Sequence, residues 1–257
     1  MMRWSRQILF GDVDAMFASA AVLADPSLAG KPVAVGGSSP RGIIAAASYA
    51  ARAFGVHSAM PTGEATRLCP QLILIPPDRP LYRRLHEQMQ AVTDQLFPLT
   101  EWSSIDEFYA DTTQLQTRHP APLALGQLAK DALYRATGLR CTIAVATGKT
   151  VAKIAADSHK PDGLVIVPPG TEETFLALLP LRALPGIGPK TAARLEPLGL
   201  KTIGELLDQR WDQPLRYIFG TRLQGSRAGA GDRPRTGGGR SRIQKPQPRD
   251  HIRTRYA

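Results

Sequence analysis

The chain has 257 residues, with 32 Lys and Arg against 22 Asp and Glu, and a formal net charge of +10. Residues 221–257 hold ten basic and two acidic residues, a net of +8, whereas residues 1–220 hold 22 basic and 20 acidic residues, a net of +2. Two cysteines, Cys69 and Cys141, exclude a disulfide framework and a four-thiolate zinc site. No apolar run approaches the roughly 18–20 residues that cross a bilayer, so we expect no membrane partner and a cytoplasmic location. The positive charge suggests an anionic partner.

The first 77 residues predict short strands and helices. Apolar runs bounded by glycine or proline are typical of buried strands, and alanine-rich or amphipathic runs that end at glycine or proline are typical of helices. The predicted strands are Ile8–Phe10, Lys31–Gly37, Gly42–Ala47 and Leu72–Ile75, and the predicted helices are Ala15–Leu23, Tyr49–Phe54 and Thr62–Cys69.

The following residues continue the mixture of helices and strands. Apolar residues spaced by 3 or 4 positions after Pro80 predict an amphipathic helix, and a second helical pattern surrounds Leu128. Strands are predicted over 107–111, 142–146 and 164–167, with a helix over 151–158. This order predicts an α+β core with helices packed against one sheet.

The pattern of predicted secondary structure changes after Pro168, where we place a domain boundary. Short helices separated by glycine turns are predicted from Thr171 to about Phe219, without a strand. Residues 225–257 are rich in Gly, Arg, Pro and Ser and nearly free of large apolar side chains. Such a composition cannot offset the entropy cost of ordering, so the basic tail, 223–257, is predicted to be disordered.

Two acidic clusters follow or begin predicted strands. Asp12 and Asp14 come directly after the first strand, and Asp106 and Glu107 open another. Acidic pairs at strand ends are usually solvated turns, but two neighbouring strands can bring three carboxylates to one point. A pair of Mg²⁺ ions that clamps a phosphoryl transfer needs such a set of oxygens.

Phosphate-binding side chains would complement these carboxylates. Tyr49 and Arg52 lie three positions apart on one predicted helix, which puts a hydroxyl and a guanidinium on the same face. Lys160 is held just beyond the end of another helix. The alternative for each is a solvated surface group.

A glycine turn over residues 184–191 separates two apolar segments of helical character. Gly186 and Gly188 permit a tight hairpin, whose backbone amides together with Lys190 could grip a DNA phosphate without reading sequence. The alternative is an ordinary helix connection. A second glycine turn over residues 199–204 favours the phosphate-binding interpretation, because it closes the unit as in helix–hairpin–helix modules.

Taken in order, these stretches resemble the Y-family, or translesion, DNA polymerases, especially the bacterial DNA polymerase IV type. The resemblance covers roughly residues 7–220, and its ordered combination is highly specific. The stretches that carry it are 11–19, 31–37, 45–56, 104–107, 153–157, 160–163 and the hairpin.

The resemblance implies a right-hand arrangement and a set of site residues. The palm would comprise residues 1–14 and 78–168, the small fingers 15–77, and the helical thumb with the helix–hairpin–helix 169–222. Asp12, Asp106 and Glu107 would be the catalytic carboxylates that hold two Mg²⁺ ions, with the Val13 main-chain carbonyl as a further ligand and Asp14 in a supporting role. The incoming triphosphate would be held by Tyr49, Arg52 and Lys160, and Phe17 would be the steric gate against a ribose 2′-hydroxyl. Gly186, Gly188 and Lys190 would contact DNA.

The implied activity is template-directed DNA synthesis of low fidelity and low processivity from deoxynucleoside triphosphates on primer-template DNA, in translesion synthesis and repair, by a monomer. Family members continue for roughly another hundred residues into a little-finger domain, which is expected to be missing here through frameshift, fragmentation or natural shortening. That loss argues against tight DNA binding and against a sliding-clamp partner. The alternative is a truncated polymerase relative that acts as a DNA-binding or accessory protein. A two-metal nuclease is disfavoured because Tyr49, Arg52 and Lys160 suit a triphosphate better than a phosphodiester.

Overall fold

The computed structural model describes residues 3–207. Strands and helices occur at nearly all of the predicted positions, with ends that coincide or differ by at most three residues. In chain order they are β1 (Ile8–Val13), α1 (Met16–Ala24), β2 (Val33–Gly36), β3 (Ile44–Ala47), α2 (Tyr49–Arg52), α3 (Thr62–Leu68), β4 (Ile73–Ile75), α4 (Arg79–Leu96), β5 (Thr100–Trp102), β6 (Glu107–Asp111), α5 (Pro122–Thr137), β7 (Cys141–Ala146), α6 (Lys149–Asp157), β8 (Leu164–Ile166), α7 (Glu172–Ala177), α8 (Pro189–Leu195) and α9 (Ile203–Leu207).

Local signals set the ends of the two longest helices. The Asp78 carboxylate caps α4 by accepting a hydrogen bond from the Leu81 amide at 3.0 Å, and Pro80 occupies a first-turn position where no donor is needed. Helix α5 also begins with a proline, Pro122, and ends at Gly138, which adopts a left-handed φ of 71°. Local sequence therefore sets the start of both helices and the end of α5.

The strands form two sheets. The larger sheet has the order β5-β6-β1-β7-β8, with β1 antiparallel to both β6 and β7 and with β7 parallel to β8. The smaller sheet has the order β3-β2-β4. The α+β prediction is confirmed, but the prediction of one sheet was wrong. Strand β2 pairs with β3 on one side and with β4 on the other, so it has no free edge for β1.

Strand β5 was not predicted. It is a three-residue strand, Thr100–Trp102, at the edge of the larger sheet, and it pairs antiparallel with β6. Its short polar sequence has no apolar alternation that would distinguish it from a loop.

Both faces of the larger sheet are covered, which explains why all six residues of β1 are buried. Leu9 and Val13 belong to a core that includes residues of α4 and α5, whereas Phe10 belongs to a second core on the other face with residues of α6. This second core continues into the residues after Pro168, through apolar side chains of α7, α8 and α9. The helices of the C-terminal part therefore share one apolar core with α6 and the sheet.

Gly11 allows β1 and β6 to pair closely beside the predicted ion site. A Cβ atom at this position would lie 2.3 Å from Cε1 of Phe108, the residue opposite Gly11 on β6. A side chain here would displace the Phe108 ring, which is fully buried. The glycine thus preserves the register that places the next residue, Asp12, opposite Glu107.

The smaller sheet has a core of its own, formed by β2, β3, α2 and α3 around buried residues such as Ile44 and Ala65. None of the helices within residues 3–207 is both long and apolar enough to cross a membrane. The predicted disordered tail, 223–257, and the end of the predicted thumb, 208–222, lie outside the described residues.

Candidate active site

The two acidic clusters meet at one end of the paired strands β1 and β6 in the larger sheet. Asp12, near the end of β1, lies opposite Glu107, the first residue of β6. The Val13 amide donates a hydrogen bond to the Asp106 carbonyl at 3.0 Å, which ties the two acidic segments together beyond that pair. Opposite residues of an antiparallel pair project to the same face, so Asp12 and Glu107 share the face covered by α6. We call Asp12, Asp106 and Glu107 the acidic edge.

Two lysines pair with the acidic edge. Lys153 on α6 donates to Glu107 Oε1 at 2.6 Å, and its ammonium lies 3.7 Å from Asp157 Oδ2. Lys160, three residues beyond the end of α6, donates to Asp12 Oδ2 and lies 3.2 Å from Asp157 Oδ1. Asp157 therefore bridges the two lysines, and the ion pairs form one chain from Asp12 to Glu107.

The charges of this chain do not balance. The ion-pair chain has three carboxylates against two ammonium groups, and Asp106 beside it adds a fourth carboxylate, which makes a formal excess of two negative charges. The excess negative charge is least favourable at Asp12, because this residue is only 4% exposed. Burial, together with weaker repulsion from Asp106 and Glu107, raises its pKa to about 7 against the opposing effect of Lys160. The site therefore favours an added cation.

Asp106 has a neutral partner. Ser104 donates its hydroxyl to Asp106 Oδ1 at 2.5 Å and accepts the Glu107 amide at 3.1 Å, which makes a tight turn before β6. His86 on α4 holds the same turn through the Ile105 carbonyl, 2.9 Å from its Nδ1. As they stand, no three His, Cys, Asp or Glu side chains within residues 3–207 are close enough to hold a metal ion. The acidic edge is brought together by the strands, while its side chains face Lys160, Ser104 and Lys153.

Lys160 keeps its positive charge at this site. Burial opposes that charge, but attraction to Asp12 and Asp157 outweighs the burial and raises the lysine pKa. Val13, the predicted carbonyl ligand, is the last residue of β1 and lies opposite Cys141, with its side chain in the core. Its role as a ligand stays a prediction.

Tyr49 and Arg52 share a helix face, as the sequence predicted. Arg52 Cζ lies 4.5 Å from the centroid of the Tyr49 ring, and Arg52 Nε donates to the Ala47 carbonyl at 3.0 Å. The Ser48 hydroxyl caps this short helix by accepting the Ala51 amide at 3.2 Å. Tyr49 also reaches across to the larger sheet, where its hydroxyl lies 3.4 Å from Asp14 Oδ1. The Arg52 side chain is exposed.

Phe17 lies in the first turn of α1, five residues after Asp12. Its ring stacks on the ring of Tyr82 from α4, with centroids 4.2 Å apart and an interplanar angle of 20°. This contact fixes the ring orientation, which a residue that excludes a ribose hydroxyl by its shape would require.

The predicted DNA-binding hairpin is a turn between the 3₁₀ helix Leu181–Ala183 and α8. Leu184 and Ile187 are buried and fix the turn to the core, whereas Gly186, Gly188 and Lys190 are exposed. Gly186 has a φ of 90°, a backbone conformation that residues other than glycine rarely adopt. The apolar residues thus present the glycines and the lysine outward.

Sequence analysis missed the roles of four residues at this site. Lys153 and Asp157 complete the ion-pair chain, and Ser104 and Thr142 hold the carboxylates of Asp106 and Asp14. The spacing Lys153–Asp157–Lys160, with steps of four and three, was a usable signal for a charged helix face. The Thr142 contact joins residues 128 positions apart, and no local pattern indicates it.

Comparison with known proteins decides the family. The model of the impB/mucB/samB family matches residues 11–157, and the model of the helix–hairpin–helix motif of the same family matches residues 169–200. This chain belongs to that family. The resemblance to Y-family polymerases is confirmed, and the first match spans the whole acidic edge and Lys153, whereas Lys160 lies three residues beyond its end.

Similar proteins of known name are polymerases. The chain is 43% identical to the DNA polymerase IV of Streptomyces coelicolor over 84% of its own length and 46% of that protein, and 42% identical to the DNA polymerase IV of Halorhodospira halophila over 89% and 62%. The chain thus spans about half to three fifths of the length of these curated relatives.

Solved structures give the same family. DinB from Sulfolobus solfataricus superposes with a TM-score of 0.81 at 30% identity, over 88% of this chain and 67% of that one. An insertion ternary complex of Dbh DNA polymerase superposes with a TM-score of 0.78 at 28% identity, over the same shares. The right-hand polymerase fold, with a mixed-sheet palm, small fingers and a helical thumb, is therefore confirmed for this chain.

Proposed function

We propose that this chain is a template-directed DNA polymerase of low fidelity and low processivity, which adds deoxynucleotides to a primer on a DNA template by two-metal nucleotidyl transfer. The observation that carries the proposal is the acidic edge. Its three carboxylates come from paired strands and carry an excess of negative charge, and Lys160, on the loop after α6, forms an ion pair with one of them. The names of the similar proteins support the reaction and its substrates.

The donor set suits magnesium. Asp12, Asp106 and Glu107 offer carboxylate oxygens, the ligands that Mg²⁺ prefers, and the raised pKa of Asp12 reports a charge that the protein alone stabilises poorly. We propose that these three side chains and the Val13 carbonyl hold two Mg²⁺ ions. Bound there, the ions would lower the pKa of the primer 3′-hydroxyl and offset the charge that develops on the α-phosphate and the pyrophosphate.

Lys160 would exchange partners when the nucleotide arrives. In the described structure its ammonium neutralises Asp12, and an added cation would take over that task. The lysine, still charged, could then turn to the triphosphate, together with the Tyr49 hydroxyl and the Arg52 guanidinium. The ammonium would thus pair with Asp12 before the cation binds and with the triphosphate afterwards.

Phe17 would act as the steric gate, because its stacked ring lies at the start of α1 just beyond the acidic edge. The hairpin at Gly186, Gly188 and Lys190 would hold a DNA phosphate independently of sequence. We assign residues 1–14 and 78–168 to the palm, 15–77 to the fingers and 169–222 to the thumb. The match of the helix–hairpin–helix model to residues 169–200 supports the thumb assignment.

Single-nucleotide addition on four templates tests the proposal. The purified chain is mixed in excess with a labelled primer, Mg²⁺ and one deoxynucleotide, on templates that differ only in the next base. We expect the complementary nucleotide to be added faster than the other three on every template.

Three other results would refute the proposal. A gel shift of the primer-template without any extension would identify a DNA-binding accessory protein. Shortening of the primer would identify a nuclease. Addition that does not depend on the template base would exclude template direction.

A further inference from the structure

Asp14 is a buried carboxylate for which the proposed chemistry has no direct use. It is 4% exposed and follows β1 by one residue, two positions after Asp12. No ammonium or guanidinium forms an ion pair with it among the described residues. A buried carboxylate without a cationic partner is costly unless hydrogen bonds satisfy it, so its bonds indicate why it is there.

Three hydrogen bonds reach the Asp14 carboxylate, each from a different part of the fold. Thr142 on β7 donates its hydroxyl to Oδ1 at 2.9 Å. The backbone amide of Asp162, in the loop that follows α6, donates to Oδ2 at 2.8 Å. The Tyr49 hydroxyl, on α2 beside the smaller sheet, lies 3.4 Å from Oδ1.

The loop that Asp14 holds is the one that carries Lys160. Thr142 strengthens the attachment, because its hydroxyl also accepts the Gly163 amide at 3.2 Å. On the outer side, Lys130 and Arg140 pair with the Asp162 carboxylate at 2.8 and 2.7 Å. The loop is therefore held from both sides, and only the inner side is connected to the fingers.

We propose that Asp14 is a positioning residue that couples the fingers to the Lys160 loop, and so sets the spacing between two groups of the triphosphate site, the Tyr49 hydroxyl and the Lys160 ammonium. The inference rests on the proposed function for the role of those two groups. Asp14 does this through hydrogen bonds and without holding a metal ion. The geometry that supports it is one carboxylate accepting bonds from both the helix of Tyr49 and the loop of Lys160.

Kinetics separate positioning from metal binding. Asp14→Ala should raise the KM for the nucleotide about tenfold, the effect of losing hydrogen bonds to a charged group, while kcat changes much less. Asp14→Asn should restore most of the affinity, because an amide oxygen can accept the Asp162 amide while its NH₂ group bonds a hydroxyl. A residue that held a metal ion would lose kcat in both variants.

Hydrogen exchange tests the same coupling without nucleotide or metal. In Asp14→Ala the amides of Lys160, Asp162, Gly163 and residues 49–52 should exchange faster than in the unchanged chain, with the strands of the larger sheet unaffected. Thr142→Val is the matched control, because it should release residues 160–163 and leave residues 49–52 protected. These measurements remain decisive if the chain proves inactive, so failure of the proposed function and failure of this inference are distinguishable.

Two results would overturn the inference. Unchanged exchange in both segments of Asp14→Ala, with an unchanged KM where activity is measurable, would show that Asp14 couples nothing. A kcat in Asp14→Asn as low as in Asp106→Asn would show that Asp14 belongs to the metal-binding set. If Asp14→Ala does not fold, Thr142→Val still tests the attachment of residues 160–163, and the kcat of Asp14→Asn still tests metal binding.

Discussion

The acidic edge and the glycine hairpin are built in opposite ways. The acidic edge gathers charge on the ends of paired strands, partly buried, and holds it with two lysines. The hairpin exposes two glycines and a lysine on a turn, and two buried apolar residues, Leu184 and Ile187, hold that turn in place. The acidic edge therefore depends on electrostatic balance, whereas the hairpin depends on backbone shape. Substitutions should affect activity and stability differently in the two regions.

The largest expected effect is the loss of one carboxylate from the acidic edge. Asp106→Asn should reduce the rate of nucleotide addition about 1,000-fold, since a metal site supplies several kcal/mol of charge stabilisation to the transition state. Single-turnover primer extension measures this rate. Asp94→Asn, the same change at an exposed position of α4, is the control and should retain the full rate. A rate within threefold of the unchanged chain would remove Asp106 from the site.

Asp12 should show that the buried charge of the acidic edge lowers the stability of the folded protein. Its folded-state pKa of about 7 exceeds its ordinary value of 3.8, so the folded protein binds more protons between these pH values than the unfolded chain does. Stability should therefore fall as the pH rises from about 4 to 7 in metal-free buffer. Asp12→Asn should remove this fall and be more stable at pH 8, by about 2 kcal/mol, while losing activity.

Denaturant unfolding of both proteins at pH 5 and pH 8 measures the difference. Burial disfavours the charge of Asp12, whereas the ion pair with Lys160 favours the charges of both groups. The raised pKa of Asp12 indicates that burial is the stronger of these two effects on the carboxylate. Equal stability of the variant and the unchanged chain at pH 8 would contradict this account.

Phe17 tests whether the shape of a side chain, in addition to charge, matters beside the acidic edge. Phe17→Ala should increase ribonucleotide addition relative to deoxynucleotide addition about tenfold, because removing the ring opens the space for a 2′-hydroxyl. Competing addition of the two nucleotides opposite one template base measures the ratio. Phe54→Ala, which truncates an exposed phenylalanine, should leave the ratio unchanged. An unchanged ratio in Phe17→Ala would remove the gate assignment.

The two hairpin glycines should differ in stability. Gly186→Ala should cost about 1 kcal/mol, because its φ of 90° is unfavourable for a side chain. Gly188→Ala should cost almost nothing, because its φ is −81° and a Cβ there meets no atom within 4 Å. Thermal unfolding of the two variants compares them. Equal costs would show that backbone shape is not what sets this turn.

The smallest effect concerns DNA binding by the thumb. Lys190→Ala should weaken primer-template binding about threefold and lower the salt dependence of the affinity by about one phosphate contact, without changing thermal stability. Fluorescence anisotropy at several salt concentrations measures both quantities. Lys201→Ala removes the same charge elsewhere in the C-terminal part and should have little effect. If both variants weaken binding equally, the hairpin has no special role.

Local signals predicted most of the fold. The apolar run before Asp12, the amphipathic spacing of α4 and the glycine turn at Gly186 each correspond to an element in the structure. The division into two sheets could not be predicted, because it depends on which strands occupy the two edges of β2. Strand β5 was too short and too polar for a pattern.

The site was predicted in its components but not in its connections. Neighbouring strands indicated that Asp12 and Glu107 would meet, yet their register depends on the contact between Gly11 and Phe108. The pairing of Lys160 with Asp12 joins residues 148 positions apart. The bonds of Asp14 span 35, 128 and 148 positions, so its coupling role has no local signature.

Single-turnover addition of one nucleotide, followed as the Mg²⁺ concentration is varied, tests the central claim most directly. With the chain in excess over the primer-template, we predict that the rate rises with Mg²⁺ and reaches a plateau, and that Asp106→Asn gives almost no product under the same conditions. Absence of product at every Mg²⁺ concentration, with the primer-template shown to be bound, would contradict the claim that the acidic edge of this chain catalyses nucleotide transfer.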